Sequence, residues 1–235
     1  MFQLGPEFST FSIVARCERT GMLGVGIATR AIAVGARCPY AKAHVGAISS
    51  QANTDPRLGI MGIKLLELGY SASKALQELV NSDPHEKKRQ IGIVDRDGHS
   101  AVHTGFETRD WAGHIVEHNF VAMGNVLLGQ HVVEAMADAF RKSSDLPLEE
   151  RLLRAIEAGR DAGGQHGGQQ SSGLLVVEHE VFPRIDLRVD DHGEPIGELR
   201  RIYELYKPQT DYFMARPANP YLPPVDEWTK TRIER

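Results

Sequence analysis

The order in which two kinds of apolar periodicity follow one another restricts the fold of this chain more than any other feature. Strand-type runs come first: Thr10 to Ala15, then Met22 to Thr29 across the charged turn Cys17-Glu18-Arg19-Thr20-Gly21, and later Val45 to Ser50. The polar stretch Gln51-Ala52-Asn53-Thr54-Asp55-Pro56 ends that regularity. Beyond it Leu58, Met61, Leu65 and Leu68 recur at helical spacing, and Ser71 opens a second helix carrying Ala75, Leu76, Leu79 and Val80 on one side. The scheme then repeats. Strand-type runs at Arg89 to Asp95, His99 to Thr104 and Ile115 to Met123 precede a helical pair at Val132 to Lys142 and Leu148 to Ala162. Strands at Leu174 to Val177 and Ile185 to Val189, and a helix at Pro195 to Tyr206, follow. A parallel doubly wound sheet needs strands and helices to alternate one by one. Paired strands followed by paired helices predict instead an α+β domain, with antiparallel sheets carrying helices on their outer faces. The layered domain is expected over residues 9–206. From 207 to 235, Pro208, Pro217, Pro220, Pro223 and Pro224 predict an extended arm whose aromatics pack on the outer helices or on a neighbouring copy.

Charge and hydropathy narrow the partners. Lys and Arg number 27 against 31 Asp and Glu, a net charge of −4, and no basic stripe is present to meet a nucleic-acid backbone. Mean hydropathy is −0.30, and no apolar run approaches the ~20 residues that cross a bilayer. Met1 to Phe8 lack the positive start and the apolar stretch of a secretory signal. The expectation is a cytoplasmic protein bound to neither nucleic acid nor membrane, with Cys17 and Cys38 as free thiols. His114 and His118 are four apart in a strand, hence roughly 13 Å from each other and too far apart for one zinc ion. Gly24-Val25-Gly26 lies between two strands, where no helix N-terminus waits for a phosphate. Neither metal nor cofactor is expected.

Candidate chemistry gathers where strands meet loops. Arg30 ends the second strand, where a guanidinium clamps a carboxylate or closes a rim salt bridge. Gln51, Asn53 and Thr54 leave the third strand and offer amides and a hydroxyl to a ligand, or cap a turn. Asn125 follows Gly124 at the end of an apolar strand, aimed at a developing oxyanion or filling a left-handed turn. The stretch from Ala162 to Ser172 is rich in glycine, so it brings backbone close to a ligand beside Gln170 and Ser171, or merely links helix to strand. Asp190-Asp191-His192 reads as an ordinary turn before a helix.

Several segments recur together in one known pattern: Thr10-Phe11-Ser12-Ile13-Val14-Ala15-Arg16, Gly24-Val25-Gly26-Ile27-Ala28-Thr29-Arg30, Arg89-Gln90-Ile91-Gly92, Trp111-Ala112-Gly113-His114, Gly124-Asn125 and Asp186-Leu187-Arg188-Val189-Asp190. In that order, from about Ser9 to Tyr206, they resemble an uncharacterised bacterial and archaeal family of DUF1028 type, classed with the N-terminal-nucleophile hydrolases. The resemblance implies a four-layer αββα sandwich of two antiparallel sheets between helix pairs. It also implies that Thr10 becomes a chain terminus after cleavage and uses its own α-amino group, of pKa near ~7.7, as base. The family pattern leads one to expect an acidic residue at Gln165 and an arginine at Gly167, where this chain has neither.

The expected function is therefore hydrolysis of a small polar amide by acyl transfer from Thr10, with Asn125 and strand amides as oxyanion donors. Arg30, Gln51, Asn53, Gln170 and Ser171 are the expected contacts to an amide or carboxylate ligand. The alternative is a non-catalytic, oligomeric ligand-binding protein on the same fold, in which Thr10 is never unmasked. Either way a homo-oligomer is expected.

Overall fold

The structure, a computed structural model, describes residues 9–109 and 111–233; Met1 to Phe8, read above as no secretory signal, lie outside them. The chain opens with an antiparallel hairpin, β1 (Thr10–Arg16) and β2 (Leu23–Thr29). Its turn closes through Cys17 N–H to Met22 O and Gly21 N–H to Cys17 O, both 2.8 Å, with Gly21 at φ 73°. Next come β3 (Pro39–Lys42) and β4 (Gly46–Ala52). Helices α1 (Pro56–Glu67) and α2 (Ala72–Ser82) start where the sequence places them. The Asp55 carboxylate accepts the Arg57 N–H ahead of Pro56, and the Ser71 hydroxyl accepts the Lys74 N–H. Strands β5 (Arg89–Asp95) and β6 (Ser100–Thr104) turn on the Asp95 carboxylate, which takes the N–H groups of Asp97 and His99 at 3.0 Å. Strands β7 (Gly113–Glu117) and β8 (Phe120–Asn125) lead into α3 (Gln130–Lys142) and α4 (Leu148–Asp161). The chain then forms β9 (Ser171–Val177), β10 (Ile185–Val189), α5 (Pro195–Tyr206), α6 (Thr210–Ala215) and α7 (Val225–Ile233).

Two antiparallel sheets result, β10-β9-β2-β1-β8-β7 and β3-β4-β5-β6. Three apolar regions hold the elements together. Phe11, Ile13 and Ala15 pack with Val133, Met136, Phe140, Leu152 and Ile156 of α3 and α4. Val14, Val25, Ile27, Val121 and Met123 meet Ala47 and Val94 between the two sheets. Ile48, Ile91 and Ile93 pack with Leu58, Leu66, Ala75 and Leu79 of α1 and α2. The glycines of β2 have a packing reason: a Cβ at Gly24 would stand 2.5 Å from Leu175 O and 2.9 Å from Leu152 Cδ1, and one at Gly26 would stand 3.0 Å from Leu152 O. They let α4 lie close against the strand.

Two readings need correction. Strand β3 is absent from the sequence pattern, because four residues beginning with proline at a sheet edge carry no alternation. The region after Lys207 is not an extended arm. It forms α6 and α7, with Pro224 standing just before α7, and its aromatics pack on one another: Tyr206 stacks on Phe213 at 5.6 Å, and Tyr212 meets Trp228 edge-on at 5.8 Å. Arg184 ties α6 back to the body of the fold through Asp211 at 3.0 Å. No helix among the described residues is long and apolar enough to cross a membrane.

Candidate functional site

Strand register makes the site. Thr10 pairs with Thr29 on one side and Asn125 on the other, and Thr29 pairs with Ser171. Directly opposed residues share a face, so the four form one polar row across β9, β2, β1 and β8. Phe11, Ile13 and Ala15 point to the α3/α4 side and Val14 to the other sheet, so alternation turns Thr10 and Ser12 into the space between the sheets. Gln51, Gln90 and Thr104 form the facing row across β4, β5 and β6. The layer between the sheets is thus apolar in its middle and polar at this end.

Thr10, only 4% exposed, has its hydroxyl 2.9 Å from that of Thr29, which donates to the Ser9 carbonyl at 2.5 Å. A hydroxyl has one proton, so Thr10 must be the donor to Thr29. The Ser9 carbonyl takes a second bond from the Arg30 N–H at 3.2 Å. The carbonyl of the Ser9-Thr10 peptide bond therefore sits between two donors, with the Thr10 hydroxyl beside them.

Over Thr10 and Thr29 opens a cavity of about 550 Å³, walled by Ile32, Val34, Arg37, Cys38, Asn53 and Arg89 among others. Arg89 is held by Asp83 at 2.7 Å and donates to the Asn53 carbonyl. Burial raises the Asp83 carboxyl, but Arg89 and the His85 N–H outweigh it and leave the group below its ordinary value. Arg37 is exposed and has no ion pair among the described residues. Burial pushes the Cys38 thiol up to about 11, against a weaker pull from Thr54, so it stays protonated at neutral pH.

Beneath the cavity lies a closed amide network. Gln51 Oε1 accepts from the Ser12 hydroxyl at 2.8 Å and the Ser49 hydroxyl at 3.3 Å, while its Nε2 donates to Gln90 Oε1 at 2.8 Å and to the Thr10 carbonyl at 3.5 Å. Gln90 Oε1 also accepts from Asn125 Nδ2 at 3.1 Å. Its own amide N–H groups go to Thr104 Oγ1, Gly113 O and Gly124 O at 3.0, 3.2 and 2.9 Å.

The candidate residues separate accordingly. Thr10 and Asn53 line the cavity. Gln51 and Asn125 stand within the network below, their amide N–H groups engaged by Gln90. Ser171 is fully buried, donates to Ala31 O at 2.6 Å and accepts the Val34 N–H at 3.1 Å, so it fixes the cavity wall. Gln170 donates from its backbone to Thr29 O at 2.7 Å, and its amide reaches Asp191 at 2.9 Å. The Arg30 guanidinium lies over Gly167, where a Cβ would meet it at 2.3 Å, and Gly167 is left-handed at φ 81°. An arginine at 167 would thus be strained and would collide with Arg30. Gln165 is buried, with its Nε2 on Gly168 O at 2.9 Å and its Oε1 unpartnered. Sequence reasoning missed Arg37 altogether, and it quoted Arg89 and Gln90 only within the family pattern, without a role in the site. A glutamine inside the apolar run Gln90-Ile91-Gly92-Ile93-Val94 was the available signal.

Left-handed backbone clusters here as well. Ala33 (φ 56°) stands between the lining residues Ile32 and Val34, Ala52 (φ 68°) lines the cavity, and Val126 (φ 54°) follows Asn125. Such a conformation costs a non-glycine residue on the order of 1–3 kcal/mol and gathers at functional sites.

A family model described as a family of unknown function (DUF1028) matches residues 10–199. The crystal structure of protein SPO2555 from Silicibacter pomeroyi, assigned to the same family, is similar at a TM-score of 0.79 and 32% identity. The match covers 85% of this chain and 89% of that one. No curated protein matches the chain.

Proposed function

This chain belongs to the DUF1028 family of unknown function, and we propose that it is an amidohydrolase of N-terminal-nucleophile type on a four-layer αββα sandwich. The observation that carries this reading is the Ser9 carbonyl held by the Thr29 hydroxyl and the Arg30 N–H, with the Thr10 hydroxyl beside it on the cavity floor. In the uncut chain the Thr10 nitrogen is an amide and takes no proton. Attack of Thr10 Oγ1 on the Ser9 carbonyl carbon places an oxyanion where those two donors already point. The C–N bond then breaks, the hydroxyl proton ends on the departing nitrogen, and an ester joins Ser9 to Thr10. Water hydrolyses that ester to a Ser9 carboxylate, leaving Thr10 with a free amine and its hydroxyl.

Release of Ser9 frees the same donors for a substrate. A substrate carbonyl takes the place of the Ser9 carbonyl, and the Thr10 amine accepts the hydroxyl proton as Oγ1 attacks. The Thr29 hydroxyl and the Arg30 N–H hold the oxyanion, while Asn125 and Gln51 keep β1 in position through Gln90. Arg37, free of ion pairs among the described residues, offers a cation for a carboxylate on the ligand, whereas Arg89 is neutralised by Asp83. The substrate is a small amide carrying a carboxylate, in keeping with a cavity of about 550 Å³.

Intact-mass measurement and amide-hydrolysis assays on the wild type and Thr10→Ala test this. The expected result is loss of Met1 to Ser9 with hydrolysis in the wild type, and neither in the variant. An uncut chain that hydrolyses amides equally well in the wild type and in the Thr10→Ala variant overturns the mechanism. An uncut, inactive chain that binds a carboxylate supports the alternative of a ligand-binding protein, for which the existing hydrogen bond of Thr10 to Thr29 suffices.

A further inference from the structure

At the other end of β1 the hairpin turn forms a second cavity, of about 610 Å³, against the start of α4. Six residue steps at ~3.3 Å separate Arg16 from Thr10, so this cavity lies on the order of 20 Å from the first. Arg16, Arg19 and Arg151 line it with Cys17. Among the described residues no carboxylate lies within ion-pair distance of any of the three; Arg141, on the same wall, is already taken by Glu117 and Asp138. The acidic side chains lining the cavity, Glu18 and Asp145, are both exposed.

Arg151 is only 9% exposed, and its Nε is buried without a hydrogen-bond partner. Its guanidinium lies 3.9 Å over the Phe140 ring, with one long bond, 3.4 Å, to the Phe140 carbonyl and the Cys17 side chain as a further hydrogen-bond partner. Arg16 repeats the pattern: one N–H reaches Asn119 Oδ1 at 3.3 Å, while its Nε is buried and unpartnered. Burial pulls the Arg151 pKa down, and the like charge of Arg19 adds to that pull against Cys17 and Asp145. Three cationic side chains around one cavity with no carboxylate at ion-pair distance repel one another, and an anion bound between them removes that cost.

We propose that this cavity is a binding site for a phosphate group, held between the guanidinium groups of Arg16, Arg19 and Arg151. The three cations come from a strand end, a turn and a helix, so they approach from separate directions. That suits a tetrahedral oxyanion better than a planar carboxylate, which a single guanidinium fork satisfies. Phe140, below Arg151, gives the floor an apolar part, and the volume exceeds that of the bare ion. Free phosphate and the phosphate end of a small organic ester share this chemistry.

Titration calorimetry of the full chain at low ionic strength, with inorganic phosphate and separately with glycerol 3-phosphate, tests the site. Arg19 is exposed and free of ion pairs among the described residues, so Arg19→Glu keeps the fold, whereas removal of Arg151 uncovers Phe140. The expected result is saturable one-to-one binding, weakened at least about tenfold by Arg19→Glu and unchanged by Arg37→Gln in the first cavity. Tighter binding of the ester identifies an organic phosphate as the ligand, and equal binding identifies the free ion. No saturable binding of either probe, binding insensitive to Arg19→Glu, or binding lost instead in Arg37→Gln overturns the proposal.

Discussion

Replacing Gln90 by leucine removes the hub of the amide network while keeping most of the side chain's volume. Gln90 is fully buried. Its loss strips Asn125 Nδ2 of its 3.1 Å acceptor and Gln51 Nε2 of its 2.8 Å acceptor, leaving Gln51 only the 3.5 Å contact to the Thr10 carbonyl. It also takes a donor from Gly124 O and Gly113 O. Each buried donor left without an acceptor costs about 1–3 kcal/mol. Leucine returns part of this through apolar burial, roughly 1 kcal/mol, so Gln90→Leu is expected to cost about 3 kcal/mol. For a chain of this size that lowers Tm by about 6–12 °C. Urea denaturation of wild type, Gln90→Leu, Gln51→Leu and the double variant measures both the cost and the coupling. The double variant is expected to cost at least about 1 kcal/mol less than the sum of the singles, because the second change removes a group that the first left stranded. A cost for Gln90→Leu below about 1 kcal/mol, or simple additivity, refutes the network as described.

Gly24→Ala is expected to destabilise by about 1–3 kcal/mol, because its Cβ would press on Leu175 O at 2.5 Å and on Leu152 Cδ1; thermal melting checks it, and an unchanged Tm would place α4 farther from β2. The Cys38 thiol, raised by burial to about 11 from an ordinary value of 9.0, is neutral in both states below pH 9. Above pH 9 the unfolded thiol ionises while the folded one resists, so the stability of the wild type relative to Cys38→Ala should fall by about 2 kcal/mol between pH 8 and 10.5. Urea titrations at both pH values measure the gap, and a gap independent of pH contradicts the burial argument.

Fold and site were legible in the sequence to different depths. Helix starts could be read to the residue where a local interaction fixes them, as at Asp55-Pro56 and Ser71, because caps act within one turn. The C-terminal prolines misled for a related reason: read as a set they suggest an extended chain, yet Pro224 stands where a helix tolerates proline, at its start. Of the candidate residues, Thr10 at its strand start and Asn53 in its loop line the cavity. The roles of Gln51, Asn125, Ser171 and Gln170 depend on which strands neighbour one another and on which sheet faces which. Periodicity gives the face of a strand and says nothing of its partner. Gln90 is the clearest case, since only the pairing of β4 with β5 and the packing of β5 on β8 turn one glutamine among isoleucines into the acceptor shared by two buried amides.

The direction of one hydrogen bond links the resting state to the proposed chemistry. Thr29 has a single proton, and while Ser9 is attached that proton is committed to the Ser9 carbonyl. The Thr10 proton is therefore committed to Thr29, and the lone pairs of Thr10 Oγ1 remain available for attack. The glutamine network makes this arrangement specific, because each buried amide that finds all its partners has one low-energy orientation. On the proposed reading, departure of Ser9 turns the Thr10 amide into a free amine and passes the Thr29 and Arg30 donors from a peptide carbonyl to a substrate oxyanion, so the site that cuts the chain is already assembled to act on the substrate that follows.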